Sequence, residues 1–294
     1  MAKTWFITGA SRGLGAEIVR AAVRAGDQVV AAARHPQTVG NGLEPDSSQI
    51  LQVRLDVADA AQAPAAVDAA LSRFGSIDIL VNNAGCGQYG FFEESTIDDA
   101  RDQIATNFVG VLQVSWAVLP VMRAARKGQI FNLSSLGGLV GGQFASLYCA
   151  TKFAIEGFSE SLAKEVAPFG IHVTIIEPGP FRTDFLTARS LRFGTKRIAD
   201  YDDRRATLLA GIEERKGRQP GDPAKLAEAI VSLSKTEKPP LRFVAGSVAL
   251  GAADEKLADM RNEFDRWRQL SIGTDGTFGD NASLAGFVAQ INRT

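Results

Sequence analysis

The sequence is poor in the residues that build disulfide frameworks and metal centres. It has 294 residues but only two cysteines, Cys86 and Cys149, and two histidines, His35 and His172. Two cysteines cannot form the multi-bridge framework of a small secreted domain. Four such ligands, scattered along the chain, are too few for a typical zinc site. We therefore predict neither a disulfide scaffold nor a metal site.

The sequence also has no large excess of positive or negative charge and no long apolar run. The formal net charge is -1 without a basic block, which gives no reason to expect a nucleic acid or an acidic membrane as a partner. No apolar run approaches the roughly 20 residues of a membrane span, and the chain begins directly with a strand-like segment rather than a signal peptide. With 45% hydrophobic and 22% charged residues, the composition is that of a globular protein with a large core. We expect it to be cytoplasmic.

Short apolar segments alternate with helix-like segments along most of the chain. Strands are predicted at 3–8, 28–33, 50–55, 77–81, 129–133, 171–176 and 241–244. Strands that alternate with helices at this spacing imply crossover connections and a parallel sheet. The predicted fold class is α/β, a doubly wound, mainly parallel seven-stranded Rossmann sheet with helices on both faces. Because the sheet is continuous, residues 1–250 are expected to form a single domain.

Two segments depart from this alternation. Residues 184–217 are weakly patterned and charged, and a long segment of this kind after a strand is typical of a substrate lid. A helix rich in charge and alanine is predicted from about 248 to 270, and the stretch 271–294 is expected to be loosely ordered. Residues 251–294 are thus predicted to be a C-terminal extension that packs on the domain or trails from it.

The first strand-to-helix turn is rich in glycine. Residues 8–15 are TGASRGLG, with glycines at positions 9, 13 and 15. Such a turn lets the backbone approach a pyrophosphate, whose charge is met by the helix N-terminus. Tight turns without ligands also collect glycine. The position of this one, after the first strand of the chain, favours dinucleotide binding.

A serine, a tyrosine and a lysine follow the strand at 129–133. Tyr148 and Lys152 are four residues apart on a predicted helix and therefore share one face. Ser135 comes just past the carboxyl end of the strand. A phenol has a pKa of about 10, and a nearby cation lowers it, so Tyr148 is a candidate proton donor. Taken alone, a tyrosine and lysine at this spacing are more often surface residues; the other motifs favour catalysis.

Together these motifs resemble those of the short-chain dehydrogenase/reductases, over roughly residues 3–250. They occur in the family's order and at its spacings: TGASRGLG at 8–15, NNAG at 82–85, Asn107, Ser135, Tyr148 with Lys152, and PGPFRT at 178–183. The resemblance implies an enzyme that interconverts a ketone or aldehyde with an alcohol by hydride transfer. The hydride chemistry belongs to a nicotinamide cofactor, and the protein supplies geometry and charge.

The resemblance also implies roles for single residues. Tyr148 would pass the proton, Ser135 would hold the substrate oxygen, and Asn107 would anchor a water that links Lys152 to solvent. Lys152 would bond the nicotinamide ribose and favour the phenolate. The residues that would bind the cofactor are Gly9, Ser11, Arg12, Gly13, Leu14, Gly15, Arg34, Asp56, Val57, Asn83, Ala84, Gly85, Tyr148, Lys152, Pro178, Gly179 and Thr183.

The end of the second strand indicates which dinucleotide is preferred. An acidic residue there bonds the adenosine ribose and repels a 2′-phosphate, whereas a nearby arginine accepts that phosphate. Here Ala33 occupies the place of the acid, Arg34 follows, and Arg12 lies within the glycine turn. Either arginine alone is equally well explained as a solvated surface residue. Their joint placement predicts NADP(H) in preference to NAD(H), which stays possible.

Apolar side chains after several strands predict a hydrophobic substrate. Sites of this fold open at the carboxyl ends of the strands. The candidate substrate residues there and in the loop after Thr183 are Gln88, Leu136, Val140, Phe144, Phe181, Phe185, Leu186 and Phe193. The alternative is that some of them, Phe193 among them, only pack the loop. The predicted substrate is a small hydrophobic carbonyl or alcohol compound, with aromatic compounds included.

Two other functions remain open, and self-association is expected. A non-catalytic NADP(H)-sensing regulator would typically lack the tyrosine or the lysine, and an epimerase or dehydratase of the extended branch would have another glycine spacing. The helix that contains Trp116 is apolar on more than one side, and apolar surfaces of that kind mark interfaces. We expect a homodimer or homotetramer.

Overall fold

The computed structural model describes residues 2–39, 48–276 and 281–292. Seven strands in this part of the chain form one sheet in the order β3-β2-β1-β4-β6-β7-β9, and every neighbouring pair is parallel. The strands are β1 (Thr4–Thr8), β2 (Gln28–Ala33), β3 (Ile50–Arg54), β4 (Ile79–Asn82), β6 (Gly128–Leu133), β7 (Ile171–Pro178) and β9 (Arg242–Ala245). Two shorter strands, β5 (Gly87–Tyr89) and β8 (Leu191–Phe193), pair separately. The predicted doubly wound Rossmann sheet is confirmed.

Helices cover both faces of this sheet. They are α1 (Gly13–Arg24), α2 (Gln62–Phe74), α3 (Ile97–Ile104), α4 (Gly110–Ala125), α5 (Ser146–Val166), α6 (Asp202–Arg215), α7 (Pro223–Ser234), α8 (Ser247–Ile272) and α9 (Asn281–Asn292). Successive residues of a strand point to opposite faces, so Trp5 packs with Ile18 of α1 and Ile230 of α7. The next residue, Phe6, packs on the other face with Val114 of α4.

The helical run from Thr96 to Ala125 forms one wall of the site. Thr96 caps α3, because its hydroxyl accepts from the backbone N–H of Asp99 while the Asp99 carboxylate accepts from the backbone N–H of Thr96. A single π turn, Ala105–Val109, joins α3 to α4. By length and composition alone, Ile97–Ala125 could cross a membrane. We assign it to the fold, since Val114, Val118 and Met122 are fully buried against the sheet.

The lid segment has more structure than the weak pattern of 184–217 predicted. Strand β8 pairs in parallel with β5, and α6 follows. Three-residue strands are too short to show an alternating pattern, and α6 is mostly polar, which explains why the sequence did not reveal them. A buried ion pair fastens α6 to the body. Glu94 accepts from the Arg205 guanidinium and, at 3.0 Å, from the Ile198 backbone N–H.

The C-terminal extension is helical, which corrects one prediction. Helix α8 covers the predicted 248–270 helix, but α9 occupies part of the stretch 271–294 that we expected to be loosely ordered. Helix α9 contains three alanines, a leucine and a glutamine, and the helix propensity of these residues outweighs the single Gly286. Residues 277–280 and 293–294 of that stretch lie outside the described part. At its start α8 is anchored by Ala249, which is fully buried.

Candidate active site

The glycine turn between β1 and α1 brings backbone atoms together more closely than side chains would allow. Gly9 has φ +64°, in the left-handed region that favours glycine. A Cβ on Gly15 would lie 2.3 Å from the carbonyl oxygen of Gly9 and 2.5 Å from Nδ2 of Asn83. Because its glycines have no side chains, the backbone of this turn at the N-terminus of α1 is open to the cleft. That cradle fits the pyrophosphate of a dinucleotide.

The NNAG segment after β4 holds this turn in place. The Asn83 side-chain N–H donates to the carbonyl oxygens of Thr8 (2.9 Å) and Gly9 (3.2 Å). The Thr8 hydroxyl accepts in return from the backbone N–H groups of Asn83 and Ala84, both at 3.0 Å. These bonds tie the ends of two neighbouring strands to one another. Asn83 thus positions the glycine turn from behind.

Ser135, Tyr148 and Lys152 meet beyond the end of β6. The Ser135 hydroxyl oxygen accepts from the Gly137 N–H at 3.0 Å, and the interaction of Ser135 with the Tyr148 phenol acts to lower the pKa of that phenol. Lys152 donates to the Leu133 carbonyl oxygen at 2.7 Å, and its Nζ is 5.7 Å from the centre of the Tyr148 ring. All three line a cleft of about 820 Å³ that also contains the glycine turn. A proton donor and a second donor thus converge beside the nucleotide cradle.

The charge states of this group are set by burial. Burial raises the pKa of Tyr148, and the hydrogen bond with Ser135 only partly opposes that effect. Burial also lowers the pKa of Lys152 to about 8, and the nearby Cys86 and Glu156 oppose it. We had expected Lys152 to lower the tyrosine pKa. In the protein alone desolvation of the phenol outweighs the cation, so the phenol keeps its proton at neutral pH.

Asn107 lies in the π turn, and its side chain hydrogen-bonds Cys86 and Thr151, the residue before Lys152. Its Oδ1 accepts from the Cys86 N–H (2.9 Å), and its Nδ2 donates to the Cys86 carbonyl (2.9 Å) and to the Thr151 hydroxyl (3.2 Å). The side chain is therefore held between β5 and α5 and is almost completely buried. Its role in a water bridge to Lys152 stays a prediction.

A buried acidic group behind the site was missed in the sequence. Glu156, one turn after Lys152 on α5, forms an ion pair with Arg242, which also pairs with Glu177 at 2.8 Å. Burial raises the pKa of Glu156 to about 7; Glu177 adds to this, while Ser134 and Arg242 oppose it. The spacing of four residues from Lys152 is the one signal in the sequence that could have indicated Glu156.

Three arginines surround the adenosine end of the cleft. Arg12 and Arg34 line it as predicted, together with Arg189 from the lid. The Arg12 guanidinium donates to the Arg189 carbonyl (2.8 Å) and to the Ser190 hydroxyl (3.0 Å). Burial lowers the pKa of Arg12, and the charges of Arg34 and Arg189 add to that effect. Like charges held this close form a site for an anion.

All the residues predicted to bind the cofactor come together in this cleft. The cleft is lined by Gly9, Ser11, Arg12, Gly13, Leu14, Gly15, Arg34, Asp56, Val57, Asn83, Ala84, Gly85, Tyr148, Lys152, Pro178, Gly179 and Thr183. Among the predicted substrate residues, it includes Leu136, Val140, Phe181, Phe185 and Leu186. Gln88, Phe144 and Phe193 lie outside the described lining. Phe144 packs instead against Phe91, with ring centres 5.1 Å apart.

Some lining residues escaped the sequence analysis, Tyr89 among them. Tyr89 and the predicted Phe185 flank the Tyr148 phenol, with ring centres 5.9 and 5.6 Å from that of Tyr148. Burial raises the pKa of Tyr89 to about 12, so its phenol is uncharged at neutral pH. Cys86 and Cys149 also line the cleft, and burial raises the pKa of the Cys86 thiol. Successive residues of a strand point to opposite sides, so Tyr89 lines the cleft and Gln88, the preceding residue of β5, does not.

A strand, glycine turn and helix beside a serine, tyrosine and lysine make up the site of a Rossmann-fold oxidoreductase. The family model described as short chain dehydrogenase matches residues 3–192. The chain belongs to the short-chain dehydrogenase family. It is similar over 94% of its length to all of a short-chain dehydrogenase from Streptomyces avermitilis, at 39% identity and a TM-score of 0.85.

Two curated relatives are similar over most of the chain. One is the oxidoreductase BOA17 of Botryotinia fuckeliana, which is 37% identical over 93% of this chain and 100% of its own length. The other is a 3-ketodihydrosphingosine reductase of Bacteroides thetaiotaomicron, which is 38% identical over 82% of this chain and 86% of its own. Both are named as oxidoreductases or reductases, in keeping with the site.

Proposed function

We propose that the protein is an NADP(H)-dependent oxidoreductase that interconverts a hydrophobic ketone or aldehyde with the corresponding alcohol. The observation that carries the proposal is the placement of Ser135, Tyr148 and Lys152 in the same cleft as the glycine turn. Bound there, the nicotinamide dinucleotide supplies or accepts the hydride. The protein's own task is then to hold the substrate oxygen and to move one proton.

The geometry supports a division of that task between two hydroxyl groups. Ser135 and Tyr148 line the same cleft, and Ser135 acts on the pKa of the Tyr148 phenol, so we expect one substrate oxygen to contact both. When a carbonyl is reduced, negative charge develops on that oxygen, and positioned donors stabilise it. Because Tyr148 is protonated in the protein alone, it can give its proton to the oxygen as the charge develops. In the direction of oxidation the same phenol oxygen takes the proton back.

Lys152 supports this proton transfer through the positive charge of its ammonium group. Its ammonium is fixed by the Leu133 carbonyl and has a pKa of about 8, so it is mostly charged at neutral pH. A cation near the phenol stabilises the phenolate left after the proton is given. Lys152 therefore acts at the stage of the reaction at which Tyr148 is ionised.

The arginines at the other end of the cleft support NADP(H) as the preferred cofactor. Arg12, Arg34 and Arg189 present three positive charges where β2 ends in the uncharged Ala33. A 2′-phosphate dianion matches that cluster, and guanidinium groups bind phosphate with charge-assisted bonds. Asp184, which lines the same end of the cleft, offsets part of this positive charge. NAD(H) lacks the phosphate and would leave the rest uncompensated, so the remaining repulsion among the arginines favours NADP(H).

The walls around Tyr148 support a hydrophobic substrate. Tyr89, Phe185, Leu136, Val140 and Leu186 provide aromatic and aliphatic surface in the cleft that contains the phenol. A ligand in a mostly apolar cleft is oriented by its few polar contacts, here those of Ser135 and Tyr148. The reductase of B. thetaiotaomicron, whose name specifies a keto compound, is in keeping with this class.

Tyr148→Phe tests the proposal, with Tyr201→Phe as a matched control outside the cleft. A panel of aromatic and aliphatic ketones, alcohols and charged hydroxy acids is assayed by the change in nicotinamide absorbance. We expect turnover with the apolar compounds, loss of turnover in Tyr148→Phe and an active control, while NADPH still binds to Tyr148→Phe. If Tyr148→Phe keeps a tenth of the wild-type rate, the acid/base role is wrong. Equal rates on charged hydroxy acids and aromatic ketones would contradict the substrate class.

We also propose that the protein forms a homodimer or homotetramer through α4 and α5. Trp116 on α4 is 68% exposed and Phe153 on α5 is 46% exposed, and large apolar side chains in one surface region favour association. Light scattering of Trp116→Glu beside wild type tests this contact. An unchanged mass would show that α4 takes no part.

A further inference from the structure

The outer part of α8 carries exposed apolar side chains that the protein's core does not cover. The helix is anchored at its start by Ala249, but every residue from 261 to 272 is exposed. Leu257 is 67% exposed, Phe264 61% and Trp267 54%. Single exposed apolar residues are ordinary, whereas several large ones along one helix indicate a contact surface.

These side chains follow a heptad repeat. Its a and d positions are Leu250, Ala253, Leu257, Met260, Phe264 and Trp267. The opposite face carries Glu255, Asp259, Asn262, Asp265, Arg266 and Gln269, together with the small Ala258 and, beyond the repeat, Ile272. Within 250–267 the large apolar residues occupy a and d positions, and a stripe of that width is narrower than the face of a helix that packs on a globular core and is typical of a coiled-coil seam. The repeat spans 18 residues, or about 27 Å of helix.

We propose that the seam of α8 binds the same seam of a second copy of this chain, as an antiparallel two-stranded coiled coil around a two-fold axis. In that arrangement a positions face d positions of the second copy. Leu257 meets Met260, Leu250 meets Trp267, and Ala253 meets Phe264, each in both directions. The outer layers thus pair Ala253 or Leu250 with an aromatic ring, and the central layers pair Leu257 with Met260, so the seam is filled evenly. The contact is self-complementary, as a two-fold interface requires.

The flanking charges complement one another in this register. In an antiparallel pair each g position faces a g position of the second helix, and each e position faces an e position. Within 250–267 of α8 the g positions are 256 and 263, and the e positions are 254 and 261. Lys256 therefore lies opposite Glu263 of the second copy, and Asp254 lies opposite Arg261, with each pair occurring twice. Arg261 already bonds Asp265 of its own helix through Nε at 3.1 Å, which leaves its two terminal nitrogens for the second copy. Such flanking pairs select partner and orientation in coiled coils.

Other arrangements of the two helices bring like charges together. A shift of one heptad in one direction sets Glu263 against Glu263 and Arg261 against Arg261. A shift in the other direction sets Lys256 against Lys256 and Asp254 against Asp254. A parallel pair sets Glu263 against Arg268, but it also sets Lys256 against Arg261 and stacks large residues on large ones. The antiparallel register described above avoids these contacts, and like charges that face each other are destabilising.

Helix α9 is the other apolar segment that could cover the seam. It carries Leu284, Phe287, Val288 and Ile291 on one face, all about half exposed. Its sequence from 281 to 292 has no charged residue, so it cannot pair with Lys256, Glu263, Asp254 or Arg261. The charge pattern of α8 therefore favours a second α8 as the occupant.

A charge exchange tests the proposal on the full-length protein by light scattering and sedimentation. Leu257→Glu should halve the mass of the assembly. A tetramer that also uses the α4 and α5 contact would become a dimer, and a dimer held by α8 alone would become a monomer. Lys256→Glu and Glu263→Lys should each weaken it by roughly tenfold or more, since two ion pairs become two repulsions. The double variant K256E/E263K exchanges the charges and should restore the wild-type mass. Asp259→Lys, on the outer face, is the matched control and should have no effect.

Several results would overturn the proposal. A wild-type protein that is monomeric at about 50 µM, where a weak dimer would already form, would do so. An unchanged mass in Leu257→Glu, or a double variant as weak as the single ones, would also contradict it. If Phe287→Glu lowers the mass and Leu257→Glu does not, α9 makes the contact instead.

Discussion

The arginine cluster allows a sharp test of cofactor preference. Arg34→Asp removes one of the three guanidinium groups at the adenosine end of the cleft and restores an acid next to Ala33. The carboxylate would repel a 2′-phosphate and would bond the ribose hydroxyls of NAD(H). Arg24→Asp, at the far end of α1, makes the same change of charge outside the described lining of the cleft and serves as the control.

The size of the effect follows from the bonds that are lost. A hydrogen bond to a charged group contributes about 1.5–3 kcal/mol, which corresponds to a factor of about 10 to 150 in kcat/KM. We therefore expect the ratio of kcat/KM for NADPH to that for NADH to fall by at least about tenfold in Arg34→Asp. Arg189→Ala should lower it less, because Arg12 and Arg34 remain.

The assay compares initial rates with both cofactors at one ionic strength, since added salt screens charges. The fall should come mainly from a higher KM for NADPH, with kcat nearly unchanged, because the phosphate lies far from the reacting atoms. An unchanged ratio in Arg34→Asp would refute the assignment of the phosphate site. An equal fall in Arg24→Asp would mean that net charge, rather than the cluster, sets the preference.

Three further variants test the structure. Gly15→Ala should abolish cofactor binding in fluorescence titrations and cost about 1–3 kcal/mol in denaturant unfolding, because its Cβ would lie 2.3 Å from the Gly9 oxygen; Gly251→Ala, where that atom meets nothing within 4 Å, should do neither. Lys152→Met should remove turnover yet stabilise the fold at pH 7 by up to about 3 kcal/mol. The buried amine has a pKa lowered from 10.5 to about 8, so this gain should shrink as the pH rises from 8 to 10.5; a gain independent of pH in thermal melts would contradict it. Arg205→Met leaves the buried Glu94 carboxylate without its partner and should lower the melting temperature and raise KM for the substrate, whereas Arg215→Met, at the exposed end of α6, should change neither.

The sequence predicted those features that local patterns determine. Each strand of the main sheet is an apolar run bounded by turns, and the capping of α3 by Thr96 is a local motif that the structure confirms. The glycine turn and the tyrosine–lysine pair are likewise contained in short segments. Their meeting in one cleft followed from the rule that parallel strands present their carboxyl ends at one edge.

The rest depended on contacts between distant segments. Strands β5 and β8 are separated by about a hundred residues and are too short to show a period, so only their pairing defines them. Arg189 reaches the cofactor end of the cleft because the lid folds back over it. The pKa of Tyr148 depends on how completely the phenol is buried, and neighbours in the sequence do not reveal that.

The pairing of β5 with β8 limits how the lid can vary in length. Gly87 donates to the Ser190 carbonyl and Gly194 donates to the Tyr89 carbonyl, so the register is fixed at both ends of the pair. An insertion or deletion of one residue between these points would turn the following side chains to the opposite face. Changes in substrate range are therefore most easily made by exchanging side chains in place. Changes in length are better tolerated in the exposed turn around Gly217, after α6 has ended.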